Sequence, residues 1–115
     1  MKIILTETFL KDYKKLLGSY NIDEFVSKIK NGLLKNKIFL SRPFLKLRFN
    51  IDNLAVRLVC KYVEEKQLLI CIFIFKKWDK KYWFNLMWET IKSLIPTRLK
   101  KINNDLINGK FKVYK

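Results

Sequence analysis

Apolar residues in the first third of the chain form one strand-like run and then recur at helical spacing. Residues 2–5 make a short apolar strand, and Thr6 or Thr8 can cap the helix that follows. Its apolar positions are three or four residues apart: Phe9, Leu10, Tyr13, Leu16 and Leu17. Gly18 ends this helix, and a second stripe consists of Ile22, Phe25, Val26, Ile29, Leu33 and Leu34. Lys35 and Lys37 near its end suit the helix dipole, and the pattern predicts a helical hairpin.

Beyond Pro43 the pattern changes from helical to strand-like. Three segments are rich in β-branched and aromatic residues: Phe44–Ile51, Leu54–Val63 and Leu68–Phe75. Asp52-Asn53 and Glu64–Gln67 are short hairpin connections between them. We therefore expect an antiparallel three-stranded meander.

After Trp78 the pattern is helical again. Apolar residues recur at Phe84, Met87, Trp88, Ile91, Leu94 and Ile95, and Pro96 is expected to break the run. Leu99, Ile102 and Leu106 extend a second stretch towards Gly109. The prediction is one α+β domain over residues 1–115, in which a small antiparallel sheet packs on the N-terminal helical hairpin in the order β-α-α-β-β-β-α. Residues 83–115 form a C-terminal helical extension.

Charge changes this picture most. The chain carries 25 Lys and Arg against 10 Asp and Glu, a formal charge of +15, and self-repulsion of this size destabilises the compact state. A polyanion such as a nucleic acid is the natural partner. Anionic membranes, acidic protein partners and a merely lysine-rich composition are the alternatives. At 15% aromatic residues, the chain differs from a disordered basic tail. The apolar stretch in residues 1–7 is too short for a secretory signal, and Leu68–Phe75 is too short to span a bilayer. We therefore expect a soluble cytoplasmic protein with no membrane partner.

The residues that hold metals are scarce. There is no histidine, and the two cysteines, Cys60 and Cys71, lie in neighbouring predicted core strands. We interpret them as buried core thiols rather than a disulfide. No metal site and no cofactor are expected.

Candidate chemistry lies in the meander. In Phe44–Phe49 polar and apolar residues alternate, so Lys46 and Arg48 point to one face. A two-residue turn at Asp52-Asn53 pairs Ile51 with Leu54, which places Arg48 opposite Arg57 and Lys46 opposite Val59. Lys46, Arg48, Arg57 and Lys61 then share a face. Like charges in cross-strand pairs destabilise a sheet, so this arrangement indicates an anionic ligand such as a phosphate backbone.

A basic aromatic run follows the third strand. Lys76, Lys77, Lys80 and Lys81 alternate with Trp78, Tyr82 and Trp83, which places stacking surfaces beside phosphate-binding cations. The same lysine, arginine and aromatic residues also have a purely structural interpretation. Strand-end lysines protect sheet edges, Arg57 can be a structural arginine paired with a carboxylate, and the aromatic residues can close the core under the last helix.

The stretch from Phe44 to Tyr82, FLKLRFNIDNLAVRLVCKYVEEKQLLICIFIFKKWDKKY, resembles the core of the RelE/ParE toxin superfamily. In that family a lysine-bearing strand precedes an arginine-bearing strand, an acidic turn, an apolar strand and a basic segment that ends in tyrosine. FLKDYKKL, Phe9 to Leu16, resembles the opening helix, so the resemblance covers residues 1–82. It implies a RelE-like fold.

In RNA-cleaving members, the matching positions grip messenger RNA on the ribosome and assist attack of a ribose 2′-hydroxyl on the adjacent phosphate. The resemblance implies a catalytic set of Lys46, Arg48, Arg57, Lys76 and Tyr82 kept together on one face, with Lys77 replacing Lys76 if the register slips by one. Lys61, Lys77, Trp78, Lys80 and Lys81 would bind RNA. Lysine at position 76 departs from the usual arginine and cannot give bidentate phosphate contact. The resemblance does not indicate which of these residues is the general acid and which is the general base of the cleavage reaction.

The resemblance also implies partners. These are mRNA and the ribosome, and a cognate antitoxin that covers the basic face or displaces the last helix in a toxin–antitoxin hetero-oligomer. Alternatives are a ParE-like inhibitor of DNA gyrase, a basic RNA-binding module without catalysis, and an inactive relative that keeps the fold and the charge.

Overall fold

A computed structural model describes residues 1–35, 37–76 and 88–115 and shows an α+β domain. Its helices and strands are β1 (Lys2–Thr6), α1 (Glu7–Leu17), α2 (Ile22–Lys35), β2 (Lys37–Ser41), β3 (Phe44–Ile51), β4 (Leu54–Val63), β5 (Leu68–Lys76), α3 (Trp88–Ile107) and β6 (Phe111–Tyr114). Thr6 is the N-cap of α1, where its hydroxyl accepts from the backbone N–H of Phe9, and Gly18 closes the helix.

The strands form a six-stranded sheet in the order β2-β3-β4-β5-β1-β6. β1 runs parallel to β5, and every other described pair is antiparallel. The predicted meander is confirmed as β3, β4 and β5. Asp52 and Asn53 both have positive φ, 48° and 70°, as the tight hairpin turn between β3 and β4 requires.

Helices cover both faces of the sheet. On one face, Phe9 and Tyr13 of α1 and Phe25 and Ile29 of α2 pack on Leu47 and its buried neighbours. On the other face, Ile95 and Ile102 of α3 pack against a second apolar cluster: Ile4, Val59, Ile70, Ile72, Phe73 and Phe75. The C-terminal extension is therefore part of the core, because without α3 this second cluster would lie open to water.

The structure has two strands that were not predicted, and it differs from the predictions made for Lys37 and Pro96. The two strands are β2 and β6, and Lys37 lies in β2 rather than near the end of α2. Pro96 lies inside α3, so the prediction that it breaks the helix is wrong. Proline removes one backbone hydrogen bond, but Ile95 and Ile102 on either side of it are both buried against the sheet, and this packing offsets the loss.

Cys60 and Cys71 are free, buried and directly opposite each other in β4 and β5, as the core-thiol interpretation predicts. Burial and the neighbouring Cys71 thiol raise the pKa of Cys60 well above its usual value, so Cys60 remains a thiol. None of the described helices is both long and apolar enough to cross a bilayer.

Candidate nucleic-acid interface

Three of the predicted site residues form one cluster on the sheet. In the β3–β4 ladder Arg48 is paired with Arg57 and Lys46 with Val59, which is the register expected from the two-residue turn. Strand alternation puts Lys46, Arg48 and Arg57 on the face opposite the helical hairpin. We call these three residues the basic cluster. Lys46 and Arg57 are half-buried, whereas Arg48 is exposed at the far side of the sheet from β5 and β1, on which α3 packs.

The basic cluster has no acidic counterpart among the described residues. The ion pairs found in this part of the chain join Lys11 to Glu7, Arg42 to Glu64 and Arg98 to Asp12. Arg57 donates from Nη1 to the carbonyl of Val56 at 3.1 Å, a contact that leaves its other donors available. The alternative in which a carboxylate pairs with Arg57 therefore finds no support in the described residues.

Electrostatic repulsion within the cluster shifts its protonation equilibria. Burial lowers the pKa of Lys46, and the positive charges of Arg48 and Arg57 lower it further. Burial and Arg48 likewise lower the pKa of Arg57, although a guanidinium keeps its proton under all ordinary conditions. Lys46 is thus an amine that loses its proton more readily than an ordinary lysine and lies beside two permanent cations, a combination suited to proton transfer next to phosphate.

Lys61 lies on the same face as the basic cluster but apart from it. It follows Arg57 by four residues in β4, about 13 Å of strand, with buried Val59 between them. Lys61 pairs with Phe44 on one side and with Ile70 on the other. Lys61 is therefore on the predicted face but is not a member of the basic cluster.

Lys76 is not on the face that the sequence analysis expected. A bulge between Val59 and Cys60 shifts the β4–β5 register by one residue, so Lys76 is opposite Val56 and Arg57 is opposite Phe75. Val56 faces the helical hairpin, and the expectation that Lys76 shares a face with Arg57 is wrong. Lys77, Trp78, Lys80, Lys81 and Tyr82 lie outside the described residues.

A groove at the edge of the sheet adds residues that the sequence analysis missed. It has a volume of about 450 Å³, lies between α2 and β3, and includes Lys28, Asn31, Gly32, Arg48, Asn50 and Arg57 in its lining. We call it the α2 groove. Helical and strand periodicity identify the exposed side of each element separately, and only the packing of α2 on β3 brings them together.

Arg98 of α3 was also missed. Its Nε donates to the carbonyl of Ile72 at 3.1 Å, its Nη2 pairs with Asp12 of α1, and its guanidinium carbon lies 5.2 Å from the ring centroid of Phe73. The carbonyl of Ile72 belongs to the part of β5 beyond its pairing with β1, which ends at Ile70. Arg98 therefore fastens α3 to both α1 and β5.

No family model, curated protein or solved structure matches the chain.

Proposed function

We propose that the chain is a RelE-type toxin, an endoribonuclease that cuts messenger RNA on the ribosome. The observation that carries the proposal is the basic cluster: a cross-strand pair of arginines beside a lysine of lowered pKa, with no carboxylate to neutralise them in the described residues. The resemblance of residues 1–82 to the RelE/ParE superfamily and the β-α-α start followed by a meander agree with it.

In the proposed reaction, a ribose 2′-hydroxyl attacks the adjacent phosphorus. Lys46 in its neutral form takes the hydroxyl proton as the O2′–P bond forms. Arg48 and Arg57 stabilise the negative charge that accumulates on the phosphoryl oxygens. The P–O5′ bond then breaks, the leaving 5′-oxygen takes a proton from the solvent, and Lys46 returns its proton to the solvent. The products are a 2′,3′-cyclic phosphate and a 5′-hydroxyl. Because the nucleophile belongs to the substrate, this step consumes no water.

One observation favours a second function, that of an RNA-binding module without nuclease activity. Lys76, one of the five residues in the implied catalytic set, points away from Arg57. An RNA-binding module needs a positively charged face, but it does not need Lys76 at a fixed position around the phosphate. The two functions share a ligand and differ in whether a bond is broken.

Primer extension on a defined message in a purified translation system tests the proposal. The protein is compared with Arg57→Ala and with Lys66→Ala, an equal loss of charge in the turn between β4 and β5, with and without ribosomes. We expect ribosome-dependent cuts from the wild type and from Lys66→Ala and none from Arg57→Ala. Thermal unfolding of each variant checks that it folds.

The alternatives give different results. An intact message together with RNA binding that Arg57→Ala weakens would establish the binding module and overturn the nuclease. An intact message with inhibited DNA gyrase would favour the ParE-like alternative. Cuts that persist in Arg57→Ala would reject the assigned site.

A further inference from the structure

The α2 groove continues the basic cluster over the edge of the sheet. β2 pairs only with Phe44–Leu47 of β3, so the end of β3, Arg48–Ile51, has no strand partner on its outer side among the described residues. Arg48 and Arg57 contribute to the cluster and also line the groove. A polyanionic ligand bound on the sheet face can therefore extend into the groove while it remains in contact with positively charged residues.

The polar side chains that line the groove are cations and amides, and Phe49 and Gly32 complete the lining. Lys28, Arg48 and Arg57 supply positive charge, and Asn31 and Asn50 supply amides that both donate and accept hydrogen bonds. No carboxylate contributes to the lining. Cations beside amides suit an RNA backbone better than an acidic peptide, because the ribose 2′-hydroxyl between successive phosphates is itself a donor and an acceptor.

Close packing of α2 on β3 positions Lys28. Gly32 is buried, and a Cβ at this position would lie 3.8 Å from side-chain atoms of Leu47, so the helix backbone approaches the strand closely. Lys28 is one helical turn before Gly32 and on the same side of α2. Its side chain is half-buried, and an anion bound beside it is less screened by water than one at an exposed lysine.

We propose that the α2 groove binds a second phosphate of the RNA strand, adjacent to the phosphate held by the basic cluster, with Lys28 as its principal cation. The inference rests on the proposed function in taking RNA as the ligand. It adds a binding position outside the implied catalytic set and gives the strand a direction, from the sheet face over the edge at Arg48 towards α2.

Binding of a fluorescent single-stranded RNA to the free protein, measured over a series of salt concentrations, tests the site. Loss of one phosphate contact on a single strand lowers the slope of log affinity against log salt by about 0.7. We expect this decrease for Lys28→Met, which keeps the aliphatic stem, and a smaller one for the matched control Lys66→Met. Lys28→Arg should retain the slope. Asn31→Ala, at an exposed position, is a second variant if Lys28→Met does not fold, and it should weaken binding.

A series of oligonucleotides, each with one neutral methylphosphonate linkage, assigns the contact. Lys28→Met should abolish the effect of one linkage and Lys46→Met that of its neighbour. The inference is overturned if Lys28→Met changes the salt slope no more than Lys66→Met does, or if Lys28→Met and Lys46→Met abolish the effect of the same linkage. Polyglutamate serves as the probe for an acidic peptide. A loss of polyglutamate binding in Lys28→Met, with RNA binding unchanged, would also overturn the inference. Message cleavage is read separately, so a protein that binds RNA through Lys28 but does not cut it overturns only the proposed function.

Discussion

Arg48 and Arg57 are direct partners in the β3–β4 ladder, and neither forms an ion pair within the described part of the chain. Two like charges in this position destabilise the sheet. The proposed RNA ligand would offset this repulsion, and under that proposal stability and function oppose each other at this pair.

Exchanging one charge of the pair should stabilise the fold and reduce function. Arg48→Glu replaces a cross-strand repulsion with an attraction, and we expect the free energy of unfolding to rise by about 0.5–1 kcal/mol. RNA binding should weaken because a carboxylate then faces the phosphate. Urea unfolding and RNA-binding measurements check the two effects. Arg48→Gln should raise the free energy of unfolding by less than Arg48→Glu does. If Arg48→Glu is no more stable than the wild type, the repulsion between Arg48 and Arg57 is already screened.

The pKa of Lys46 should depend on its arginine neighbours. The charge of Arg48 disfavours the protonated amine, so Arg48→Gln should raise the pKa of Lys46. NMR titration of the Lys46 side chain measures this shift, and Lys66→Gln should not produce it. If Lys46 is the base, the cleavage rate rises with pH through the pKa of Lys46, and Arg48→Gln moves that rise to higher pH. A midpoint that stays in place while the Lys46 pKa moves would assign the base to another group.

Arg98 should be a major contributor to the stability of α3. Its side chain is 15% exposed and that of Asp12 is 35% exposed, so the pair is largely shielded from water. Arg98→Met removes this ion pair and leaves the carbonyl of Ile72 unpaired, and we expect a loss of about 2–3 kcal/mol in urea unfolding.

A double-mutant cycle with Asp12→Ala tests the Arg98 contact. The two losses should be non-additive, because each substitution breaks the same pair. Hydrogen exchange in α3 should accelerate in Arg98→Met. Additive losses with unchanged exchange would contradict the role assigned to Arg98.

Asp105 should stabilise the first turn of α1 in a pH-dependent way. Its carboxylate accepts from the backbone N–H of Thr8 at 2.8 Å and from the Thr8 hydroxyl at 2.6 Å. Burial raises the pKa of Asp105, but these hydrogen bonds and the charges of Lys110 and Lys11 outweigh burial and hold it below its usual value. The stabilisation is therefore complete above the unfolded-state pKa, about 4, and is lost as the pH falls through the lower folded-state pKa.

We expect Asp105→Asn to lower the free energy of unfolding at pH 7 by about 1–2 kcal/mol. The variant should also lose less stability than wild type on acidification below pH ~4. Glu65→Gln, at an exposed position in the turn before β5, is the matched control and should change neither quantity. Parallel acid-unfolding curves for Asp105→Asn and wild type would contradict the assignment.

The sequence by itself determined α1, α2, the meander and the centre of the candidate site. The spacing of apolar residues in α1, α2 and the meander shows which side of each element is buried. This spacing depends only on residues that are close together in the sequence. Asp52 and Asn53 tolerate positive φ and so define a two-residue turn, and counting residues outward from that turn gives the Arg48–Arg57 pair. Nothing beyond neighbouring residues is needed for that inference.

Tertiary structure decided the rest, because contacts between distant segments depend on which elements become neighbours and not on the period of either one. The pairing of β1 with β5 and β6, the Arg98–Asp12 contact and the approach of Lys28 to Arg48 are of this kind. Lys76 shows how small the deciding feature can be. Without the bulge, counting from the Val63–Leu68 pair would put Lys76 on the face of Arg57, and one extra residue in β5 turns it to the other.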